Sequence, residues 1–131
     1  ISLNGDWLFT KNVKNIPDGS NKPDFKWETI SVPSEWYMES FQVEPGKWGG
    51  YYKEFELPVD WQNKKTLIRF GAVESECRIY LNGKYVGEHT GSMTQFEKDL
   101  THFLRSGKNQ LVIYVRSESL ASGISKKRQK L

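Results

Sequence analysis

The chain has 131 residues, enough for one domain that buries its own core without disulfides or metal ions. Hydrophobic residues make up 37% and charged residues 27%, which excludes a disordered chain, and an aromatic share of 14% favours β-strands. The net charge of +3 comes from the basic run Lys126–Lys130, without which the chain is close to neutral, and this argues against a nucleic-acid partner.

The sequence also indicates whether the chain can form an internal disulfide and whether it carries a membrane or export signal. The single cysteine, Cys77, cannot form an internal disulfide. No apolar run reaches membrane-spanning length and no signal peptide is visible, so we expect no membrane partner. Because the chain begins at Ile1 rather than Met, we expect a fragment or a processed product. The compartment stays open, with a periplasmic or secreted bacterial location favoured over a cytoplasmic one.

The first third of the chain predicts two strands separated by loops. Aromatic and β-branched residues over Asp6–Lys11 indicate the first strand, and a polar loop over Asn12–Asp24 follows it. Lys26–Val32 is the second predicted strand, ended by Pro33. A long irregular loop is then expected over Ser34–Lys47.

The middle of the chain predicts further strands and a hairpin. Tyr51–Leu57 alternates as a strand does, and Lys65–Val73 has the apolar centre of a buried strand. Asn82-Gly83 predicts a type I′ hairpin turn, because both central residues adopt positive φ at little cost. In that register the expected cross-strand pairs are Ile79 with Val86 and Tyr80 with Tyr85.

Two interpretations stay open for Ser92–Ser106. One is a strand around Gln95–Lys98 followed by a helical turn that Asp99 caps and Gly107 ends, and the other is a continuous helix. Gln110–Arg116 is the last predicted strand. About eight strands with frequent turn signals indicate an all-β sandwich or jelly roll.

No pattern in the sequence predicts catalysis. The two histidines come with no nucleophile elbow, and no cysteine–histidine cluster offers zinc ligands. Asp18–Asn21 has oxygen ligands for calcium but lacks the bidentate glutamate. Glu54 and Glu56 share a strand face, as paired glycosidase carboxylates must face each other, yet a solvated outer face is favoured. We therefore expect no catalytic residue, no metal and no cofactor.

The strongest candidate binding surface is Ser34–Tyr52, because aromatic side chains crowd it. Such rings either stack on the apolar face of a pyranose or pack against a neighbouring domain, and packing is favoured. Sugar stacking also needs hydrogen-bonding groups beside the ring. The candidate ligand-binding residues are Trp36, Trp48, Tyr51 and Glu35.

Six segments, taken in chain order, match the sequence pattern of a known protein family. Two of them are Ser2–Phe9, with the letters SLNGDWLF, and Tyr80–Gly91, in which NG is followed by VGEHTG. The others are Val32–Trp36, Gly50–Pro58, Phe96–Thr101 and Gly107–Leu111. Together they resemble the N-terminal domain of glycoside hydrolase family two, the family of β-galactosidases, β-glucuronidases and β-mannosidases.

The resemblance implies a galactose-binding-domain-like jelly roll over residues 1–116. Residues 117–131 would then be an interdomain segment or a truncated last strand, since Ser122–Lys126 matches the family's closing segment only faintly. The resemblance also implies that the catalytic glutamates lie elsewhere, in a (β/α)8 barrel that follows an immunoglobulin-like domain and uses the retaining mechanism.

Three functions follow as alternatives. The leading one is a non-catalytic N-terminal domain of a retaining β-glycosidase that braces the catalytic barrel and shapes the carbohydrate entrance, with weak binding of free sugar or none. The second is a self-sufficient carbohydrate-binding module. The third is a pure interdomain or protein interaction domain.

Overall fold

The computed structural model describes residue 3 and residues 5–17, 22–32, 46–61, 64–70, 75–91 and 96–116. Within these ranges there are eight strands and a 3-10 turn, Val59–Trp61. The strands are β1 Gly5–Val13, β2 Glu28–Val32, β3 Trp48–Glu56, β4 Leu67–Phe70, β5 Ser75–Leu81, β6 Lys84–Gly91, β7 Phe96–Asp99 and β8 Lys108–Arg116. The described residues contain no helix long and apolar enough to cross a membrane.

The strands form two antiparallel sheets. The larger sheet has the order β2-β1-β3-β8-β5-β6, and the smaller sheet pairs β4 with β7. Strands distant in sequence lie side by side, such as β3 with β8 and β8 with β5, as in the double-sheet jelly roll. The predicted all-β jelly-roll sandwich is confirmed.

The core lies between the two sheets. Side chains on the inner face of the larger sheet meet Ile68 of β4 and Leu100 from the smaller sheet's side. Because successive side chains of a strand point to opposite faces, β8 sends every second residue inward. The fully buried inner residues of β8 and β5 include Leu111, Ile113, Ile79 and Leu81. Burying each such side chain contributes about 1.5–3 kcal/mol.

The opposite face of the larger sheet, here called the outer face, is also partly apolar. Its buried residues are Val13, Trp48, Tyr52, Val112 and Tyr114. The chain before β2 covers them with Phe25 and Trp27, and the Trp27 indole donates a 3.0 Å hydrogen bond to the Pro23 carbonyl. The centre of the larger sheet is therefore covered on both faces, which explains why β3 and β8 are apolar without strict alternation.

The first two strands differ slightly from their predicted bounds. β1 extends to Val13 through an irregularity after Thr10, where Asn12 has a φ of 59°. This bulge turns Val13 onto the outer face, opposite Trp48. β2 begins at Glu28, two residues later than predicted, because the residues just before it cover the outer face instead of pairing.

The predicted hairpin is present, with one error in its register. Asn82 and Gly83 have φ values of 53° and 79°, as a type I′ turn requires, and Tyr80 faces Tyr85 as predicted. The predicted pairing of Ile79 with Val86 is wrong, because Ile79 faces Gly87 across a bulge. Val86 is the extra residue, and its side chain packs against the inner core.

The interpretation of Ser92–Ser106 as a strand followed by a turn is confirmed over its described part. β7 ends at Asp99, whose carboxylate accepts hydrogen bonds from the Thr101 backbone N–H at 2.9 Å and hydroxyl at 2.6 Å. A single turn follows, closed by a bond from the Phe103 N–H to the Leu100 carbonyl. Gly107, with a φ of 80°, leads into β8. Residues 92–95 lie outside the described ranges.

Two buried carboxamides join the hairpin to the loop before β8. The Asn82 amide donates to the Phe103 carbonyl and to Asn109 Oδ1, both at 2.9 Å. Asn109, with no exposed surface, also accepts from the Arg105 N–H and donates to the Arg105 and Gly107 carbonyls. We call this pair the asparagine lock, because it ties the Asn82 turn to the loop at Phe103–Gly107.

Candidate functional site

Two of the four predicted ligand-binding residues, Glu35 and Trp36, lie outside the described residues. Trp48 and Tyr51 are both in β3. Their neighbours show what each ring contacts within this domain.

Trp48 lies on the outer face with 4% of its surface exposed. The guanidinium carbons of Arg116 and Arg78 lie 4.3 and 5.0 Å from its ring centroid. Both arginines bond to the Glu76 carboxylate, Arg116 at 2.6 Å and Arg78 at 3.6 Å. A sugar that stacks on Trp48 would therefore have to displace two cations held by a shared carboxylate.

Tyr51 points to the inner face and has 1% of its surface exposed. Its ring centroid lies 4.8 Å from that of Phe9, in the core between the sheets. The ring packs as a core residue, and a ligand would reach it only if the sandwich opened. The four-residue site stays a prediction, since half of it lies outside the described residues.

An open depression lies on the outer face across β2, β1 and β3. Its volume is about 400 Å³, and we call it the β1–β3 depression. In addition to Trp7, its lining residues are Asp6, Leu8, Lys22, Thr29, Tyr52, Lys53 and Glu54. It combines a half-buried leucine and a tyrosine with charged and hydroxyl side chains, the combination that a polar ligand needs.

Hydrogen bonds fix several groups of this depression. The Tyr52 hydroxyl donates to Glu54 Oε1 at 2.6 Å and accepts from Gln110 Nε2 at 3.0 Å. Lys53 Nζ donates to the Asp6 backbone carbonyl at 2.8 Å. The Lys22 ammonium lies 5.1 Å from the Tyr52 ring centroid, in cation–π range. Glu54, Lys53 and Lys22 are thus held in place before any ligand arrives.

The sequence contained only one signal for this depression. Alternation along Tyr51–Leu57 placed Glu54 on the same face as Tyr52, and both do lie on the outer face. Asp6 and Thr29 belong to other segments, and only the register of β1 with its two neighbours brings them beside Glu54, while Lys22 comes from the chain before β2.

The environment of Tyr52 makes stability depend on pH. Burial, then the hydrogen bond to Glu54, raises the pKa of the Tyr52 hydroxyl from 10.0 to about 12. That bond also lowers the pKa of the Glu54 carboxyl. Because the folded-state pKa of Tyr52 exceeds the unfolded value, its contribution is complete below pH 10.0 and is lost as the pH rises towards about 12.

We therefore expect Tyr52→Phe to reduce the loss of stability between pH 10.0 and about 12. The measurement is the free energy of unfolding in urea across that window, for the wild type and the variant. All other ionisable groups are common to both proteins, so the difference between the two curves isolates Tyr52. Parallel curves would contradict the raised pKa.

The described residues hold no evident reactive centre. Burial raises the pKa of the Cys77 thiol to about 11, so that at neutral pH it is protonated and a poor nucleophile. Among the described residues no group of three or more His, Cys, Asp or Glu side chains is placed to hold a metal ion. What the outer face presents is a set of aromatic and hydrogen-bonding groups.

The two antiparallel sheets, the inner core and the covered outer face define a jelly-roll β-sandwich of the galactose-binding-domain type. The chain belongs to the glycosyl hydrolases family 2 sugar binding domain, whose family model matches residues 1–127. This confirms the family resemblance. The match extends past residue 116, and because residues 117–131 lie outside the described ranges, the domain boundary drawn there stays a prediction.

Individual relatives agree with the family. The chain is 30% identical over 149 aligned residues to a β-galactosidase of Priestia megaterium, covering 92% of this chain and 14% of that protein. The solved β-glucuronidase of an uncultured Clostridium sp. matches with a TM-score of 0.71 and 30% identity, covering 87% of this chain and 21% of that one. The β-glucuronidase of Ruminococcus gnavus matches with a TM-score of 0.74 and 27% identity, covering 89% and 21%.

The chain is much shorter than these relatives. It spans between 12% and 17% of the length of five curated relatives that bear β-galactosidase or β-glucuronidase names. The similarity therefore concerns one domain of each of those proteins.

Proposed function

We propose that this chain is the non-catalytic N-terminal domain of a retaining β-glycosidase, which braces a catalytic barrel and shapes the carbohydrate entrance. One observation carries the proposal: the chain matches a family described as a sugar binding domain while spanning only 14% of a β-galactosidase relative. The remaining length of such a protein accommodates an immunoglobulin-like domain and a (β/α)8 barrel, the partners that we propose.

The architecture supports a bracing role. The larger sheet is packed on both faces, so it is a stiff element that keeps its shape when a neighbouring domain contacts it. The described residues contribute a protonated thiol and hydrogen-bonded acids, and these favour a supporting role over a chemical one. In this proposal the two carboxylates of the retaining mechanism come from the barrel.

The entrance is the second part of the proposal. We assign Trp36 and Glu35 to carbohydrate contact, as an aromatic ring with an acceptor beside it. The burial of Trp48 and Tyr51 supports a different role for these two residues, which is to anchor the end of the same loop on the sheet. Glu35 and Trp36 would then be carried on a segment whose far end is fixed.

The test uses the full-length protein that carries this domain. We expect Trp36→Ala and Glu35→Gln to raise KM about tenfold with little change in kcat, because they remove binding and not chemistry. We also expect the 131-residue chain alone to hydrolyse no nitrophenyl glycoside. Trp61→Ala, in the 3-10 turn, is the matched control and should leave KM unchanged.

Either of two results would contradict the proposal. Hydrolysis by the isolated chain would place chemistry in this domain. An unchanged KM in both loop variants would remove the loop from the entrance. Bracing has its own measurement: deleting residues 1–131 from the full-length protein should lower its unfolding temperature, and an unaltered temperature would argue against it.

A further inference from the structure

We propose that the β1–β3 depression binds one neutral pyranose unit, as a sugar site separate from the loop that carries Trp36. The inference does not depend on the bracing role or on the entrance. It rests on the size of the depression, on the side chains that the strand register brings together, and on their charges.

The depression has a suitable size for one sugar ring. Its volume of about 400 Å³ falls within the usual range for small-ligand sites, roughly 300–1,000 Å³. It is open to solvent, so a ring could enter without movement of the sheet. An open site of this kind favours weak binding, because much of the ligand stays hydrated.

The strand register builds the floor. Leu8 of β1 faces Thr29 of β2 on one side and Tyr52 of β3 on the other. Tyr52 is only 3% exposed, because the Trp27 ring packs against it with 5.7 Å between the ring centroids, so the accessible part of the floor is Leu8 and Thr29. Leu8 offers a small apolar surface to the C–H face of the ring, and Thr29 offers a hydroxyl at the rim.

Hydrogen-bonding groups of both kinds surround this floor. Asp6 and Glu54 supply carboxylate acceptors, two residues along from the Leu8 and Tyr52 pair on the same face. Lys22 supplies a donor on the other side of the depression. Sugar hydroxyls both donate and accept, so a site with both kinds of partner suits them better than it suits a simple ion.

Glu54 is held ready for such a contact. Tyr52 binds its Oε1 at 2.6 Å, and Lys108 lies 3.5 Å from its Oε2. A carboxylate fixed by its own neighbours loses less rotational freedom when a ligand binds. The binding geometry at this edge of the depression is therefore largely preorganised.

The charges select a neutral ligand. Among the described lining residues, two carboxylates, Asp6 and Glu54, are balanced by two ammonium groups, Lys22 and Lys53. A neutral sugar makes charge-assisted hydrogen bonds with all four and leaves no excess charge. A uronate gains no net attraction here and brings a carboxylate that must be partly desolvated. The ligand class is thus a neutral pyranoside.

The experiment is an NMR titration of the isotope-labelled 131-residue chain with methyl β-D-galactopyranoside and, separately, methyl β-D-glucuronide. We expect saturable shifts of backbone amides at Asp6–Leu8, Thr29 and Tyr52–Glu54, with a Kd of about 1–10 mM for the galactoside. The glucuronide should bind no more tightly. The amide positions separate this site from residues 33–45.

Substitutions of two lining residues test whether the sugar binds in the β1–β3 depression. We expect Asp6→Asn and Thr29→Val to weaken galactoside binding about tenfold, because each removes a hydrogen-bonding group from the lining. Their matched controls are Asp60→Asn in the 3-10 turn and Thr90→Val, exposed on β6, which should bind as the wild type does. All four positions are exposed, and circular dichroism of each variant verifies that it is folded.

Three results would overturn the inference. They are a flat titration of the folded chain, shifts confined to residues outside the depression, and undiminished binding by both Asp6→Asn and Thr29→Val. Glucuronide binding more than tenfold tighter than galactoside binding would overturn the choice of a neutral ligand. None of these measurements involves hydrolysis or the full-length protein, so their failure would leave the proposed bracing role intact.

Discussion

Asn109→Ala is expected to destabilise the domain by about 3 kcal/mol, because it removes the centre of the asparagine lock. The Asn109 carboxamide is fully buried and makes four hydrogen bonds, to Asn82, to both backbone groups of Arg105 and to the Gly107 carbonyl. Alanine leaves these partners without the side chain that bonds them. For a domain of this size the unfolding temperature should fall by about 10 °C.

A double-mutant cycle tests the lock as a unit. Asn82→Gly keeps the positive φ of the turn while removing the other carboxamide, so it is preferable to alanine at this position. The two substitutions should couple by more than 0.5 kcal/mol, since the two side chains share a 2.9 Å hydrogen bond. Additive effects would show that the pair does not act together.

Two further variants verify the cause. Asn15→Ala, at an exposed position before β2, is the control and should change the free energy of unfolding by less than about 0.5 kcal/mol. Asn109→Asp keeps the shape but loses the amide donors, and its buried carboxylate would face carbonyl oxygens. The loss of unfolding free energy in this variant should therefore become smaller as the pH falls and the introduced carboxyl is protonated. A pH-independent loss of unfolding free energy would contradict the role of the Asn109 amide as a hydrogen-bond donor.

The strands and the turn were predictable because their signals are local. Alternation marked β3 and β8, and Asn82-Gly83 marked the hairpin, since a type I′ turn needs only two residues of the right kind. The bulge at Val86 was not predictable in this way. Ile79 and Val86 both contact the inner core, and which residues pair across the hairpin depends on that tertiary packing.

The asparagine lock also combines a local feature that the sequence predicts with a tertiary contact that it does not predict. Asn82 could be assigned to a turn from its neighbours alone, yet its amide also bonds the Phe103 carbonyl in a distant loop. Asn109 carried no signal of burial, because a single polar residue before an apolar strand usually faces solvent. Only the fold shows that both amides meet in the interior.

The four-residue candidate site stays a prediction, and the sequence did not indicate what surrounds Trp48. An aromatic residue such as Trp48 at the end of a loop suggests an exposed platform, whereas Arg116 and Arg78 cover the ring. Those arginines come from β8 and β5, so sequence proximity gives no warning. The β1–β3 depression needs three strands in register, and no single segment contains it.

Trp48→Ala is the second large expected effect, a loss of about 3–5 kcal/mol, which is typical of truncating a buried aromatic residue. The indole, 4% exposed, packs with Val13, Tyr52 and Tyr114 on the outer face. Its removal also leaves Arg116 without the ring on which it stacks at 4.3 Å. Trp48→Phe, which retains an aromatic face, should cost less than half as much.

The measurement is urea unfolding of the 131-residue chain, with Trp61→Ala as the matched control. Trp61 is only partly buried in the 3-10 turn, so its truncation should cost clearly less than that of Trp48. The comparison separates a packing role from ligand stacking, because a ring kept free for a sugar adds little to stability. If Trp48→Ala unfolds at the wild-type urea concentration, the ring is not anchored as its contacts indicate, and Trp48 returns as a stacking platform beside Trp36.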